Sequence, residues 1–277
     1  MDAKALIPQL LRITQEAGKA ILTVYQREDV DVRQKEDASP LTEADLAAHD
    51  LIKASLQRLT PDIPFISEEQ EAPLLAERKQ WPTYWLVDPL DGTKEFLKRN
   101  DEFTVNIALI QHGKPVLGIV HVPVSGSTYV GIPGEAPEAY KLTGQGKQQA
   151  LSTRALLSYR AVTQLGSRHH QDPLDLWVRE RLENNVAPVT LTTMGSSLKF
   201  CLIAEGLADI YVRNAPCSEW DTAAAQAIVE AAGGKVLNFR FEPVRYNCHE
   251  DLLQRPFLVI GDPGRDWQQI LEGLNQH

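Results

Sequence analysis

The run Tyr84-Trp85-Leu86-Val87-Asp88-Pro89-Leu90-Asp91-Gly92-Thr93 decides how the chain is read. Four consecutive residues of that apolar character, followed at once by Asp-Pro, predict a buried strand that stops where an acid appears. Proline fixes its own φ and has no amide hydrogen for a ladder, so the chain must turn and bring the carboxylates of Asp88 and Asp91 toward one point. Like charges at short range raise a pKa and cost free energy unless a divalent cation compensates them. Magnesium is the natural occupant of such an all-oxygen site. Gly92 permits close approach of the backbone to a ligand, and a helix starting at Thr93 would aim free amides at an anion. An Asp-rich turn with Gly92 at positive φ is the plain alternative. Partners elsewhere in the chain must decide between the two.

With 277 residues, 43% hydrophobic and 23% charged, the chain suits one large or two modest globular domains. Its 28 Lys and Arg against 37 Asp and Glu give a net charge of −9, which argues against nucleic acid as a partner. A small anionic ligand would need local cations. Cys201, Cys217 and Cys248 are odd in number and scattered, which speaks against a disulfide framework or zinc site and for a reducing compartment. No apolar run reaches the ~20 residues of a membrane span, and the N-terminus lacks a signal-peptide pattern. A cytoplasmic location is expected.

In chain order, Leu6, Leu10, Ile13, Ala17, Ile21 and Val24 form the stripe of an amphipathic helix over about 3–26. Residues 27–39 read as a polar loop. Pro40 suits a first helical position, and Ala48, Ile52, Leu56 and Leu59 give the next helix its buried stripe. Thr42-Glu43-Ala44-Asp45 reads first as a capping box. A short strand over 61–66 runs into Ser67-Glu68-Glu69, and Glu68 could reach the ion proposed at the Asp cluster. From Phe103 the period is two, with strands over 103–109, 116–122 and 127–132, an antiparallel sheet backed by the two helices. The Gly- and Gln-rich stretch 142–150 marks a boundary between an N-terminal α+β subdomain, 1–150, and a C-terminal one, 151–277. There, strands over 160–165, 188–192, 209–212, 235–239 and 257–260 alternate with helices over 172–183, 196–205 and 221–232, and a last helix starts near 264. Such alternation implies an α/β layer. Asp221 reads as the N-cap of its helix, with Trp220 as a hydrophobic staple.

Each acid taken alone has a structural explanation. Together, Glu68, Asp88-Pro89-Leu90-Asp91-Gly92-Thr93 and Trp220-Asp221-Thr222-Ala223-Ala224, in this order and at these separations, resemble the lithium-sensitive phosphomonoesterases of the inositol monophosphatase and fructose-bisphosphatase superfamily. Within it, the run from Gly195-Ser196-Ser197-Leu198-Lys199 to Asp209, with Lys35, Asp37 and Ser39-Pro40-Leu41-Thr42-Glu43-Ala44-Asp45, is similar to the bacterial 3′(2′),5′-bisphosphate nucleotidases. The resemblance spans nearly the whole chain. It implies a layered αβαβα sandwich. It also implies a cytoplasmic enzyme, open to peripheral contact with the inner membrane face, monomeric or homodimeric, that uses two or three Mg2+ ions to remove the 3′-phosphate of a small nucleotide bisphosphate. Glu68, Asp88 and the Leu90 carbonyl would hold one ion and Asp88, Asp91 and Asp221 another. Asp45 and Thr93 would orient the attacking water, with Glu68 in the catalytic set, and the Gly92 and Thr93 amides would receive the phosphate. Ser167, His170, Gly195 and Lys199 would contact the rest of the nucleotide. His170 is assigned although the run reads Arg168-His169-His170 where Arg-Ser-His is commoner. An inositol or sugar monophosphatase would share every metal ligand, and Glu219 could then meet a sugar hydroxyl. A non-catalytic regulator is the third class.

Overall fold

The computed structural model describes residues 2–27, 32–34, 40–167 and 173–277. Helix α1, Ile7–Tyr25, is preceded by a 3-10 turn at Ala3–Leu6, so the first stripe is helical in two pieces. Strands β1, Val32–Gln34, and β2, Pro40–Thr42, pair antiparallel, and helix α2 follows at Glu43–Leu59. Pro40 therefore opens a strand and not the helix. Thr42 caps α2, with its hydroxyl accepting from the Ala44 amide.

The first sheet is built from β3, Phe65–Ser67, then, after the short helix α3 at Leu75–Arg78, from β4, Thr83–Asp91. Helix α4, Thr93–Lys98, leads on to β5, Thr104–Gln111, β6, Lys114–Val122, β7, Ser127–Ile132, β8, Glu138–Leu142, and β9, Gln148–Ala150. These seven strands pair in sequence order. Residues 142–150 carry the turn of the β8–β9 hairpin and β9 itself, whose three exposed residues are too few to register as a strand by pattern. Alternation along β4 sorts its side chains. Trp85 and Val87 enter the core under α1 and α2, while Tyr84 and Leu86 enter a second core on the opposite face. Burial on both faces explains the unbroken apolar run.

The second sheet begins with β10, Val162–Ser167, followed by helix α5, Pro173–Asn185, β11, Val189–Met194, helix α6, Leu198–Ala204, and β12, Ile210–Arg213. A two-residue strand, β13 at Cys217–Ser218, precedes helix α7, Glu219–Ala231, then β14, Lys235–Asn238, β15, Leu253–Gln254, β16, Phe257–Ile260, and helix α8, Trp267–Ile270. The five-stranded order is β11-β10-β12-β16-β14, with the first three parallel; β13 pairs with β15 in a separate two-stranded sheet. Helices α6 and α7 lie between the sheets in one continuous core, and α5 and α8 cover the outer face of the second sheet. The layers are therefore helices, sheet, helices, sheet, helices, the expected αβαβα sandwich. No helix of the described residues is long and apolar enough to cross a membrane.

One core contact predicts acid sensitivity. His121 on β6 is 4% exposed, bonds Thr128 Oγ1 through Nδ1 at 2.8 Å, and lies against Gly18 of α1, where a Cβ would stand 2.6 Å from Nε2. Burial pushes its pKa down to about 4. The unfolded imidazole takes up its proton near 6.5, so between those values the unfolded state binds more protons and stability falls as pH falls, by up to ~3 kcal/mol. Denaturant unfolding of wild type and His121→Gln at pH 7 and pH 4.5 should show a smaller acid penalty in the variant; equal penalties would show that His121 protonates without cost.

Candidate active site

The acids meet because β3 and β4 are parallel and in register. Ser67 pairs with Val87, and the Glu68 amide donates to the Val87 carbonyl, which sets Glu68 beside Asp88 at the strand ends. The strand does not stop at Asp88. It runs on to Asp91 with one extra residue against β5, since Asp88 faces Asn106 and Asp91 faces Thr104. Such a bulge tolerates Pro89, which cannot donate to a ladder, and re-aims the side chains around it. Asp88 is buried, and its Oδ1 accepts the Leu90 amide at 3.0 Å. Gly92 has φ of 97°, the left-handed turn that swings the chain from β4 into α4.

Asp221 arrives from the other sheet's side. It is not the N-cap of α7: Ser218 is the cap and Asp221 the third helical residue, its Oδ2 accepting the Ser218 amide at 3.1 Å. Ser197, at the start of α6, ties the two halves together. Its amide donates to Asp91 Oδ2 at 2.6 Å, and its Oγ lies 2.7 Å from both that oxygen and the Asp221 carbonyl. Glu68, Asp88, Asp91 and Asp221 all line one cleft of about 350 Å3, together with Leu90, Gly92 and Thr93.

The electrostatics record that convergence. Burial, then Glu68, Asp91 and Asp221, hold Asp88 well above the usual carboxylate range. Burial, then Asp91 and Glu68, push Asp221 up to about 7, against the pull of Arg213 and the Ser218 amide. Among the described residues, no three His, Cys, Asp or Glu side chains already stand as a closed ligand set. Asp88, Asp91 and Asp221 instead accept from amides and hydroxyls of the protein. The donor set nonetheless fits a hard cation: four carboxylates and a carbonyl on one wall, all oxygen, with a charge excess that a divalent ion would relieve.

Asp45 serves two purposes at once. Its Oδ2 accepts from the Thr42 amide at 2.8 Å and the Thr42 hydroxyl at 2.6 Å, completing the capping box, while its Oδ1 accepts from Thr93 Oγ1 at 3.2 Å. The helix cap and the contact to Thr93 are therefore compatible uses of one carboxylate.

A second cleft of about 160 Å3 shares Asp91, Gly92 and Asp221 with the first and extends to Ser167, Gly195, Ser196 and Lys199. Ser167 and Met194 end the parallel pair β10 and β11, so this cleft opens at the carboxyl ends of parallel strands, where open α/β sheets bind ligands. Gly195 is wedged: a Cβ would stand 2.6 Å from Glu95 Cγ, and its amide donates to Glu102 Oε2 at 2.7 Å. Lys199 is not a surface lysine. It is 5% exposed, donates to the Met194 and Ser196 carbonyls, and is pushed down to about 8 by burial and Arg213. Arg168, His169 and His170, like Lys35, Asp37 and Ser39, lie outside the described residues. Glu219 does not face either cleft. It is 2% exposed, and both carboxylate oxygens accept the Asn247 amide, which removes the sugar-hydroxyl contact considered for it.

Two cations that the sequence reading passed over, Lys94 and Arg213, line both clefts. Arg213 ends β12, and its guanidinium donates to the Ala215 and Pro216 carbonyls. The available signal was an arginine at the end of a strand leading into Trp220-Asp221 in an acid-rich chain.

The model of the inositol monophosphatase family matches residues 2–275. The chain belongs to the inositol monophosphatase family. Its relatives include the 3′(2′),5′-bisphosphate nucleotidase CysQ of Escherichia coli K12, 44% identical over 257 residues, covering 92% of this chain and 99% of that one. The CysQ of Haemophilus influenzae is 36% identical over 267 residues, covering 96% and 97%. Among solved structures, CysQ from Bacteroides thetaiotaomicron superposes with a TM-score of 0.80 at 39% identity over 94% of this chain and 98% of that one. An inositol monophosphatase from Thermotoga maritima shares the fold at a TM-score of 0.75 and 22% identity, covering 100% and 98%. Members of the family are generally Mg2+-dependent phosphatases.

Proposed function

We propose that this chain is a magnesium-dependent 3′(2′),5′-bisphosphate nucleotidase that hydrolyses adenosine 3′,5′-bisphosphate to AMP and phosphate. The observation that carries the reading is the wall of four acids, Glu68, Asp88, Asp91 and Asp221, opening directly onto a cleft with Lys94 and Arg213 at the carboxyl ends of β10 and β11. The names of the relatives supply the substrate class. Glu68, Asp88 and the Leu90 carbonyl would hold one magnesium, and Asp88, Asp91 and Asp221 a second. When bound, the ions supply charge neutralisation for the phosphate and a more acidic attacking water.

The chain's own residues do the rest. The Thr93 hydroxyl donates a hydrogen bond to Asp45 Oδ1, which turns an Oγ1 lone pair toward a water beside the phosphate to accept a hydrogen bond from it and orient it. The Thr42 contacts fix Asp45 so that this acceptor does not rotate away. Amides of Gly92 and Thr93 donate to the phosphate being cleaved, and Arg213, Lys94 and Lys199 offer charge to the one that stays. Ser167, Gly195 and His170 complete the nucleotide site. On this reading residues 1–150 carry the metal core, and 151–277 bring selectivity and one ligand. A cytoplasmic location goes with three unpaired cysteines.

Phosphate release with magnesium from adenosine 3′,5′-bisphosphate, inositol 1-phosphate and fructose 1,6-bisphosphate, with and without lithium, tests this. The nucleotide should be turned over best, and lithium should inhibit. Equal or faster turnover of the sugar phosphates would replace this reading with a sugar monophosphatase.

A further inference from the structure

A separate pocket of about 500 Å3 lies at the opposite end of β4, between Trp81 and the turn 245–248. It shares no residue with the two clefts of the candidate active site. Tyr84 and Asp88 are four residues apart on the strand, about 13 Å at the usual rise. In a chain of net charge −9 the lining holds Lys79, His112 and Arg245 and not one Asp or Glu. All three side chains are exposed, and among the described residues none has an ion-pair partner. Beneath them Arg78 is fully buried and donates only to neutral oxygens, those of Pro73, Asn247, His249 and Glu250. Glu219 accepts the Asn247 amide with both carboxylate oxygens.

Two further features speak for a ligand rather than a solvated dent. The Tyr84 hydroxyl, on a residue 1% exposed, has no hydrogen-bond partner, and a buried hydroxyl normally has one. Trp81, half-buried, offers an indole against which a flat apolar ring can pack. The volume is within the range of small-molecule sites.

We propose that this pocket is a second ligand site, taking a small anion that carries a flat aromatic ring, with Lys79 and Arg245 on the charge, Trp81 on the ring face and the Tyr84 hydroxyl as the buried donor or acceptor. The site also reaches the catalytic helix. Tyr246 beside it bonds Thr222 and Gln226 of α7 through its hydroxyl, and Asn247 holds Glu219, two residues from Asp221. A ligand that orders the turn 245–248 would therefore slow amide exchange at Asn247.

Calorimetric titration of the full chain with 1-naphthalenesulfonate, which carries no phosphate to hydrolyse, tests the proposal without relying on catalysis. Wild type should bind one equivalent, and Lys79→Gln/Arg245→Gln should bind at least tenfold more weakly, with thermal unfolding unchanged. Trp81→Leu should weaken binding, and hydrogen exchange at Asn247 should slow in wild type alone. Binding equal in wild type and the double variant would overturn the site. So would binding that is lost in Arg213→Gln, because the probe would then sit in the catalytic cleft.

Discussion

Asp88→Asn is expected to remove turnover and, in the absence of magnesium, to raise the melting temperature. The two effects have one cause. Asp88 is the most deeply buried of the four acids, stands beside Glu68, and feels Asp91 and Asp221 as well. In the metal-free protein an asparagine removes one of these repelling charges, while its side-chain oxygen can still accept the Leu90 amide now held by Asp88 Oδ1 at 3.0 Å. Relief of a buried like-charge contact should be worth a rise of about 3 °C or more for a chain of this size. With magnesium present the sign reverses. The carboxylate assigned to both ions is gone, and a loss of ~4 kcal/mol in transition-state stabilisation corresponds to about a thousandfold in kcat/KM. Thermal unfolding in chelator and in excess magnesium, together with kcat/KM, reads all three quantities. A lower melting temperature in chelator would mean that Asp88 stabilises the fold, and turnover within tenfold of wild type would remove it from the metal set.

That pairing of effects marks what a sequence can and cannot convey. Strand β4 was legible because both its faces are buried, which writes an apolar run at Tyr84–Val87, and the acids after it break the run in a way that only a turn or a ligand explains. The long helices were legible for a similar reason: Leu10, Ile13, Ala17 and Ile21 fall on one face, and that face packs. The hairpin of β8 and β9 was not legible, because β8 is five residues long with one buried side chain, Tyr140, and β9 is three exposed residues, too few to show a period. Asp45 shows a subtler limit. The pattern Thr42 to Asp45 specifies a cap, and the structure forms that cap, but the second carboxylate oxygen also accepts from Thr93, the first residue of α4, forty-eight residues away. No local pattern reports a long-range partner. Arg213 and Lys94 were missed for the same reason, since a cation is informative only once the fold has put it over an acid wall. For Lys199 the resemblance implies a nucleotide contact but not burial, which its helix brings about by turning it onto the Tyr211 ring, 5.2 Å from the centroid.

The geometry of that wall depends on how closely α7 lies on the first sheet, and Gly131→Ala should show how much. Gly131 on β7 faces the helix directly, and a Cβ there would stand 2.6 Å from the Ile228 nitrogen and 2.7 Å from the Ala227 carbonyl oxygen. These are backbone atoms of a helix packed between two sheets, so no side chain can rotate to make room. Gly118 on the neighbouring strand meets the same helix, with Ala227 Cβ 2.8 Å from a Cβ at that position, and the alanines of α7 continue the close approach. One added methyl must therefore push α7 away from the sheet, and overpacking of this kind costs about 1–3 kcal/mol. Asp221 is in the first turn of α7, whereas Glu68, Asp88 and Asp91 are fixed to β3 and β4. Lifting the helix widens the gap between them, and a misplacement of about 1 Å at a reacting centre can cost on the order of a hundredfold. We expect Gly131→Ala to lower kcat/KM at least tenfold even at 10 °C, far below its unfolding transition, and to weaken the dependence of activity on magnesium affinity through Asp221. Gly261→Ala, where a Cβ would meet nothing nearer than 3.6 Å, should change neither stability nor rate. A destabilised Gly131→Ala protein with wild-type kcat/KM when folded would mean that the acids keep their spacing without the close seat of α7, and that the helix is held at its N-terminus by Ser197 and Ser218 alone.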